Sequence, residues 1–284
     1  MKNSFSNNNS NSRTIDKVVL LGSGLSILQL SKEEKDYINK CKYVIAINKF
    51  MAFYQKAGIL PNYIYFHDKH ENSFNFYRYI IEICKKDKLT GLTFLTNPIF
   101  AISPGFPLLY AIQLKIKRLI FRKNRNSHYT QWLKLYNKYG WFTYPGKSHI
   151  VDFETSNYLE GGNWAKSLKE PIFHFRGSLT SVLNLCSILF PSKEIYLVGT
   201  DFNNSSYFFE DEINQLDFEW KDFTHPIVKD KGIHYSYQPV QGKLMEDMFP
   251  FILNSLKQTG NELFCTNPKS LLVNSGITYK ALNI

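Results

Sequence analysis

Three groups of residues in this sequence are of types that could bind a polar ligand or react with it. They are Gly22-Ser23-Gly24-Leu25-Ser26, Gly199-Thr200-Asp201-Phe202 and His234-Tyr235. Glycines let a backbone approach a phosphate closely, and an imidazole with a pKa near 6.5 can take a proton at neutral pH. The residue types therefore predict a site for a phosphorylated ligand, with a carboxylate and a histidine close to it.

Each of these groups also has a purely structural interpretation. A Gly-x-Gly after a strand is often only a tight turn, an aspartate there often caps a loop, and a single histidine is more often structural than catalytic. The glycine run lacks the third glycine of the dinucleotide fingerprint, because Leu25-Ser26-Ile27 follows, and this argues against a standard NAD site. The residues alone leave both interpretations open.

Short apolar runs typical of buried strands precede these groups. The runs are Lys17–Leu21, Tyr43–Ile47, Tyr63–Phe66, Leu92–Leu95, Glu194–Gly199 and Leu263–Cys265. Helical stretches separate them, at about Ser31–Lys40, Lys49–Ala57, Ser73–Lys85 and Leu179–Phe190. This alternation predicts an α/β fold with a mainly parallel sheet. Ligands bind such sheets outside the carboxyl ends of the strands, so Gly22–Ser26, Asn48 and His67–Asp68 are predicted to share one cleft.

The predicted domain organisation is simple. Residues 1–14 are rich in Asn and Ser and predict a disordered tail, and residues 15–284 predict a single domain. Residues 202–234 are aromatic, acidic and too long for an ordinary connection, so they predict a lid insertion or small subdomain. A helix is predicted over about Pro239–Lys257, with a kink at Pro250.

The composition of the chain narrows the class of protein. With 284 residues, 44% hydrophobic content and a formal charge of +10, the chain fits a large globular domain that meets an anionic partner. The densest basic run, Lys115–Arg125, fits either a solvated strand or contact with an anionic leaflet. No nucleic-acid module is recognised, so we expect no nucleic-acid partner. Neither a signal peptide nor a membrane-length apolar run is found, and we expect a cytoplasmic protein.

The four cysteines bear on metal binding and redox chemistry. They are Cys41, Cys84, Cys186 and Cys265, and they lie mostly in apolar contexts without CxxC spacing. This pattern predicts buried thiols and neither disulfides nor a metal–thiolate centre.

The chain resembles the bacterial sialyltransferases of glycosyltransferase family 42, through short motifs in the family's order. Gly22–Ser26 is similar to the family's Gly-Asn-Gly-Pro-Ser, and Asn48-Lys49-Phe50 is similar to its Asn-Gln-Phe. Lys193–Phe202 is similar to its Lys-Glu-Ile-Tyr-Leu-x-Gly-Ile-Asp-Phe, with Ser205-Ser206-Tyr207 just beyond. His234-Tyr235 is similar to its His-Tyr, and Asn267–Leu272 to its Pro-Asn-Ser-Leu-Leu.

The resemblance implies a single Rossmann-like, GT-A-like domain with a small lid subdomain. It also implies a metal-independent, inverting transfer of sialic acid, or a related nonulosonic acid, from its CMP form to a hydroxyl of a surface glycan such as lipooligosaccharide or capsule. His234 would be the general base, Tyr207 would donate to the departing phosphate, and Arg176 matches the family's active-site arginine. The implied donor-nucleotide contacts are Gly22, Ser23, Gly24, Asn48, His67, Asp68, Ser178, Thr180, Asp201, Phe202 and Asn203.

The resemblance further implies the partners of the protein. These are a CMP-activated acidic sugar, with no cofactor and no metal, and a glycan or glycolipid acceptor. Peripheral contact with the inner face of the cytoplasmic membrane is expected, and the oligomeric state, including a homo-oligomer, is left open.

The departures from the family lie around the donor. Asn203 stands where the family has a second phosphate-binding tyrosine, and Ser23 stands for its first-loop asparagine. The transferred sugar is therefore open, with Kdo or legionaminic acid as alternatives. A non-catalytic nucleotide- or membrane-binding protein and an S-adenosylmethionine-dependent methyltransferase are alternatives of other classes. The methyltransferase would need an acidic residue where this chain has Asn48.

Overall fold

The computed structural model describes residues 13–68, 71–98, 100, 142–203, 205–218, 234, 236 and 238–282. Residues 1–12 of the predicted tail, the basic run Lys115–Arg125, residues 219–233 of the predicted lid and Tyr235 lie outside the described residues. The sequence had placed Arg13 in the tail. Its guanidinium instead donates hydrogen bonds to the carbonyl oxygens of Cys41 and Leu60, so Arg13 is held against the sheet's first strands.

Parallel strands form the central sheet. In chain order the strands are β1 (Ile15–Leu21), β2 (Cys41–Ile47), β3 (Tyr63–Phe66), β4 (Thr93–Thr96), β5 (His149–Asp152), β6 (Thr155–Asn157), β7 (Ile172–His174), β8 (Glu194–Val198), β9 (Glu262–Cys265) and β10 (Thr278–Tyr279). The sheet has the order β10-β9-β8-β1-β2-β3-β4-β5, and β6 pairs with β7 apart from it. Every described strand pair is parallel, which confirms the predicted α/β fold.

The helices connect these strands. They are α1 (Lys32–Lys40), α2 (Tyr54–Ala57), α3 (Glu71–Lys86), α4 (Ser178–Leu189), α5 (Glu210–Ile213), α6 (Phe249–Gln258) and α7 (Leu271–Asn274). Short 3₁₀ turns cover Leu25–Gln29, Asn48–Phe53, Tyr158–Glu160 and Glu246–Met248. The start of α1 shows why the local sequence folds this way, because Ser31 and Glu34 form a reciprocal capping box.

The predicted helix over Pro239–Lys257 is wrong in its first half. The α-helix α6 begins only at Phe249, so Pro250 lies in the first helical turn. A proline is well tolerated there, because the first N–H groups of a helix have no intrahelical acceptor. Pro250 therefore helps to start α6, and it does not kink a longer helix.

Apolar side chains cover both faces of the sheet. Along β1, Val18 and Leu20 belong to one buried cluster, whereas Val19 and Leu21 belong to the other. The cluster with Val19 includes residues of α3, and the cluster with Val18 includes residues of α4 and α6. A strand that is buried on both faces reads as a continuous apolar run, which is why the sequence pattern identified it.

The beginning of the predicted lid belongs to the core. Phe208 and Phe209 are each 1% exposed and join the same buried cluster as Val19. The Phe209 ring stacks on Phe53, with 4.3 Å between the ring centroids. This part of the insertion is therefore packed against the sheet's helical layer.

All four cysteines are buried and free, as the sequence predicted. Burial raises the pKa of the Cys41 and Cys84 thiols to about 12, so these two groups stay protonated at neutral pH. Within the part of the chain that the structure describes, no helix is long and apolar enough to cross a bilayer.

The strand order creates a topological switch point at the carboxyl ends of two central strands. From β1 the chain moves outward through β2, β3 and β4 on one side, while β8 lies on the other side of β1. The carboxyl ends of β1 and β8 thus diverge at a topological switch point, where ligands bind in open α/β sheets.

Candidate functional site

A cavity of about 230 Å³ opens at this switch point. Of the residues that the sequence predicted for the site, those that line the cavity are Gly22, Ser23, Gly24, Asn48, Asp68, Ser178, Asp201, Phe202, Tyr207 and His234. The structure thus brings together segments that are far apart in the chain. The ligand-binding and catalytic roles of these residues stay predictions.

Gly22 and Gly24, in the loop that follows β1, let the backbone of this loop lie close to the end of β8. The Gly22 N–H donates to Val198 O at 2.8 Å, and the Gly24 N–H donates to Gly199 O at 2.7 Å. A Cβ at Gly22 would stand 2.3 Å from Gly199 O, so no larger residue fits. Because these two N–H groups already have acceptors, the interpretation as a tight structural turn applies to Gly22 and Gly24, and the expectation that they cradle a phosphate is not supported.

The carboxylate of Asp201 fastens that loop to the C-terminal part of the chain. It is 4% exposed and accepts hydrogen bonds from Ser26 N at 2.9 Å, Ser26 Oγ at 2.6 Å and Asn267 Nδ2 at 2.7 Å. A Cβ at Gly24 would stand 2.3 Å from Asp201 Oδ2, which explains the second glycine. Asp201 was predicted as a donor-nucleotide contact, but its carboxylate is engaged within the protein and holds the loops together.

Asn48, which follows β2, differs from Asp201 because one of its polar atoms has no partner among the described residues. Its Nδ2 donates to Ser178 Oγ at 2.8 Å, which ties the end of β2 to the start of α4. Its Oδ1 is buried and has no hydrogen-bond partner among the described residues. A buried acceptor without a partner is unfavourable, and on a cavity wall it points to a donor group of a ligand.

Thr200 carries a second buried atom of this kind. Its Oγ1 also lies without a hydrogen-bond partner in the described part of the chain, and Thr200 lines the same cavity. Asn48 and Thr200 therefore both line one cavity, and each has a buried polar atom without a partner among the described residues.

His234 stands at the cavity with aromatic rings around it. Its ring centroid is 5.7 Å from that of Phe202 and 6.1 Å from that of Tyr207. Burial, together with the positive charge of Arg176, lowers the pKa of His234 to about 4. The expected pKa near 6.5 is therefore wrong, and the imidazole is neutral at neutral pH.

The hydrogen bonding of His234 fixes its tautomer. The Ser236 N–H donates to His234 Nδ1 at 3.2 Å, so Nδ1 carries no proton and the neutral ring has its proton on Nε2. In this state Nε2 is a donor. A general base would need an unprotonated nitrogen that faces its substrate.

Three non-glycine residues with left-handed backbone conformation lie at or beside the cavity. They are Asn48 (φ 52°), Arg176 (φ 59°) and Phe202 (φ 56°). This conformation costs about 1–2 kcal/mol per residue and is a clear outlier for a bulky aromatic such as Phe202. Such outliers cluster at functional sites, where the surrounding structure enforces them.

Four predicted site residues do not line the cavity. Arg176 precedes the lining residue Gly177 and acts on His234 through its charge. His67 is 8% exposed, and its ring stacks on Phe153 at 5.1 Å, so it belongs to the packed interior.

The other two hold the backbone in place. Thr180 is fully buried, and its Oγ1 accepts a hydrogen bond from Phe175 N at 2.9 Å. Asn203 donates from Nδ2 to Lys269 O at 3.1 Å on the surface. Its amide is thus tied to the C-terminal loop, and the expected contact with the donor is not supported for either residue.

The sequence missed several residues that line the cavity. They are Ile47, Lys49, Gly177, Leu179, Gly199, Thr200, Ser206, Phe209, Ser236 and Met245. Lys49, Gly199, Thr200 and Ser206 lie inside the motifs that the sequence singled out, so those motifs could have indicated them. Met245 lies in none of these motifs, and only the fold brings it to the cavity.

Among residues 13–282, apart from the gaps given above, no three His, Cys, Asp or Glu side chains come together as a metal-binding group.

Comparisons with known proteins leave the family of this chain open. No family model matches the chain, and no curated protein matches it. A solved structure of the MAf glycosyltransferase from Magnetospirillum magneticum AMB-1 matches 96% of this chain with 11% sequence identity and a TM-score of 0.43. The match covers 33% of that chain, so the present chain spans about a third of its length. Likeness at this level does not indicate an activity.

Proposed function

We propose that this chain is a glycosyltransferase that moves sialic acid, or a related nonulosonic acid, from its CMP form to a hydroxyl of a surface glycan. The observation that carries the proposal is that His234 lines a cavity at the sheet's switch point and lies close enough to Arg176 for the arginine's charge to lower its pKa. The motif resemblance supplies the donor class.

The departing CMP phosphate is expected near the start of α4. The N-terminus of this 12-residue helix carries a partial positive charge, and its residues Gly177, Ser178 and Leu179 line the cavity. Arg176 adds a full positive charge next to it. A leaving phosphate gains from positive groups that are already in place, whereas the N–H groups of Gly22 and Gly24 are engaged with β8.

His234 is proposed as the general base for the attacking hydroxyl. A pKa of about 4 keeps the imidazole neutral at neutral pH, so one of its two nitrogens carries no proton, as a base requires. The same low pKa makes the ring a weak base. The observed bond from Ser236 places the proton on Nε2, so the role requires a switch of tautomer when the acceptor binds. Tyr207, next to His234, is proposed to donate to the phosphate.

The proposed reaction needs no metal and no cofactor. The acceptor is proposed to be a glycan or glycolipid, reached by a cytoplasmic protein in peripheral contact with the inner membrane face. Residues 101–141 support the membrane contact by composition, because they contain eight lysines and arginines and no acidic residue.

A binding experiment tests the nucleotide class first. Thermal unfolding is measured with CMP, UMP, GMP and S-adenosylmethionine, and we expect CMP to raise the melting temperature most. Stabilisation by S-adenosylmethionine alone would favour the methyltransferase, and no effect of CMP would contradict the proposal.

A transfer assay tests the chemistry. The protein is incubated with a panel of CMP-activated acidic sugars, including sialic acid, Kdo and legionaminic acid, and free CMP is measured by chromatography. We expect release with one donor, and the panel identifies the sugar. His234→Ala should abolish transfer and leave CMP binding nearly intact. Normal transfer by this variant would show that His234 is not the base, and CMP binding without release from any donor would favour a non-catalytic binding protein.

A further inference from the structure

Thr200 carries a hydroxyl that the protein itself does not use. The residue follows β8, is 7% exposed and lines the cavity. Its Oγ1 is buried without a hydrogen-bond partner among the described residues. Most buried polar atoms in proteins have a partner, so this one calls for an explanation.

The surroundings hold the Thr200 side chain in place. A Cβ at Gly22 would stand 2.7 Å from Thr200 Cγ2, so the methyl group packs against the loop that follows β1. The Thr200 carbonyl oxygen accepts a hydrogen bond from Ser270 Oγ at 2.7 Å, which fixes the backbone. With the methyl group and the backbone both fixed, the hydroxyl is not free to turn toward bulk water.

The hydroxyl lowers the stability of the free protein. A buried hydroxyl without a partner has lost its bonds to water, and an apolar residue of the same shape avoids that loss. Packing alone therefore does not explain a threonine here, whereas a bound partner for the hydroxyl does.

We propose that Thr200 is a specificity-determining residue whose hydroxyl forms a hydrogen bond with an oxygen-bearing group of the ligand, either a phosphoryl or a sugar oxygen. The inference rests on the proposed function for the identity of the ligand, a cytidine nucleotide. Thr200 is distinct from Asp201 next to it, because the Asp201 carboxylate is already engaged by Ser26 and Asn267.

The positions of Asn48 and Thr200 predict how the ligand lies in the cavity. Asn48 follows β2 and Thr200 follows β8, and these strands are the two neighbours of β1. Two strand spacings correspond to about 10 Å. A ligand that satisfies both atoms must cross the Gly22–Gly24 loop and bring a donor to Asn48 Oδ1. A nucleotide has hydroxyl or amino donors and phosphate oxygens at such a separation.

The test replaces the hydroxyl by a methyl group of the same size. In Thr200→Val we expect the Kd for CMP, measured by calorimetry, to rise about tenfold, and the melting temperature of the ligand-free protein to rise by about 2–4 °C. Titration with cytidine separates the two sources of the oxygen. A loss confined to CMP identifies the phosphoryl oxygen, and an equal loss with cytidine identifies a sugar oxygen.

Thr96→Val is the matched control. Thr96 is also buried at the end of a strand, but its Oγ1 donates to Phe66 O at 2.9 Å, and it does not line the cavity. We expect this variant to melt about 2–4 °C lower and to bind CMP like the wild type.

The results of these experiments distinguish a failure of this inference from a failure of the proposed function. Unchanged CMP affinity or a lower melting temperature in Thr200→Val would overturn the role of Thr200 and leave the proposed function standing. If the wild type does not bind CMP, the proposed function fails, and the same variants are titrated with whichever of UMP, GMP and S-adenosylmethionine stabilises the protein. A lower melting temperature of the ligand-free variant overturns the inference whichever ligand the protein binds.

Discussion

Two sets of polar residues meet at the same edge of the sheet, and they differ in how their hydrogen bonds are used. Asp201, with Ser26 and Asn267, forms what we call the clamp, in which each carboxylate oxygen has a partner. Asn48 and Thr200 form the open wall, in which Asn48 Oδ1 and Thr200 Oγ1 are buried without partners in the described residues.

The difference shows which residues hold the fold and which are available to a ligand. Removing a clamp residue leaves buried groups unpaired, so the folded state must lose stability. Removing an unpaired atom of the open wall relieves a desolvation penalty, so stability is kept or gained while ligand binding falls. Opposite signs in the unfolding measurements thus distinguish the two sets.

The largest effect is expected for Asp201→Ala. The change leaves the Ser26 and Asn267 donors without their charged acceptor, and we expect the free energy of unfolding to fall by about 3–5 kcal/mol. Urea unfolding measures it. Asp152→Ala is the control, because Asp152 is an exposed carboxylate at the end of β5, and its loss should change stability by less than about 0.5 kcal/mol. Equal stability of the two variants would show that the clamp has no structural role.

The pH dependence of stability sharpens the account of His234. Its pKa is about 4 in the folded protein and about 6.5 in the unfolded chain, so protonation favours unfolding. Relative to His234→Gln, the wild type should keep its full advantage above pH 6.5 and lose about 3 kcal/mol of it as the pH falls from 6.5 to 4. Urea unfolding at several pH values measures this, and a constant difference would contradict the low pKa.

The steric role of the second glycine is tested by Gly24→Ala. The φ of Gly24 is −71°, which alanine adopts easily, so only the contact of Cβ with Asp201 Oδ2 and Gly199 O opposes the change. We expect a loss of about 2–3 kcal/mol in the free energy of unfolding. Gly146→Ala is the control, since a Cβ there meets nothing within 4 Å. If both variants are equally stable, the loop is not packed tightly against the clamp.

The smallest effect concerns the strained backbone at Arg176. Arg176→Gly should be more stable than Arg176→Ala by about 1 kcal/mol, because glycine adopts a φ of 59° without strain. Both variants lose the positive charge that we propose stabilises the departing phosphate, so both should show reduced transfer. Equal stability of the two variants would mean that the left-handed conformation is relaxed in solution.

The strands and the sheet class could be predicted from the sequence, because buried parallel strands such as β1 and β2 are continuous apolar runs. The shared position of Gly22, Asn48 and Asp201 followed from the rule that ligands bind at carboxyl ends of parallel strands. The short strands β5 and β10 were not predicted, since they are partly exposed and carry no such run.

The division into clamp and open wall could not be predicted, because it depends on which partners the fold brings within hydrogen-bonding distance. Asp201 was the prominent residue in the motif, yet Ser26 and Asn267 engage it from positions 175 and 66 residues away. Thr200 belongs to the same motif, but no local pattern indicates that its hydroxyl lacks a partner among the described residues. The low pKa of His234 likewise depends on burial and on Arg176, which no local pattern reveals.

The most direct test of the account is a crystal structure of the protein with CMP. We expect the nucleotide in the cavity at the carboxyl ends of β1, β2 and β8, with hydrogen bonds to Asn48 Oδ1 and Thr200 Oγ1, while Asp201 keeps its bonds to Ser26 and Asn267. CMP bound elsewhere, or an Asp201 carboxylate released from Ser26 to contact the nucleotide, would contradict it.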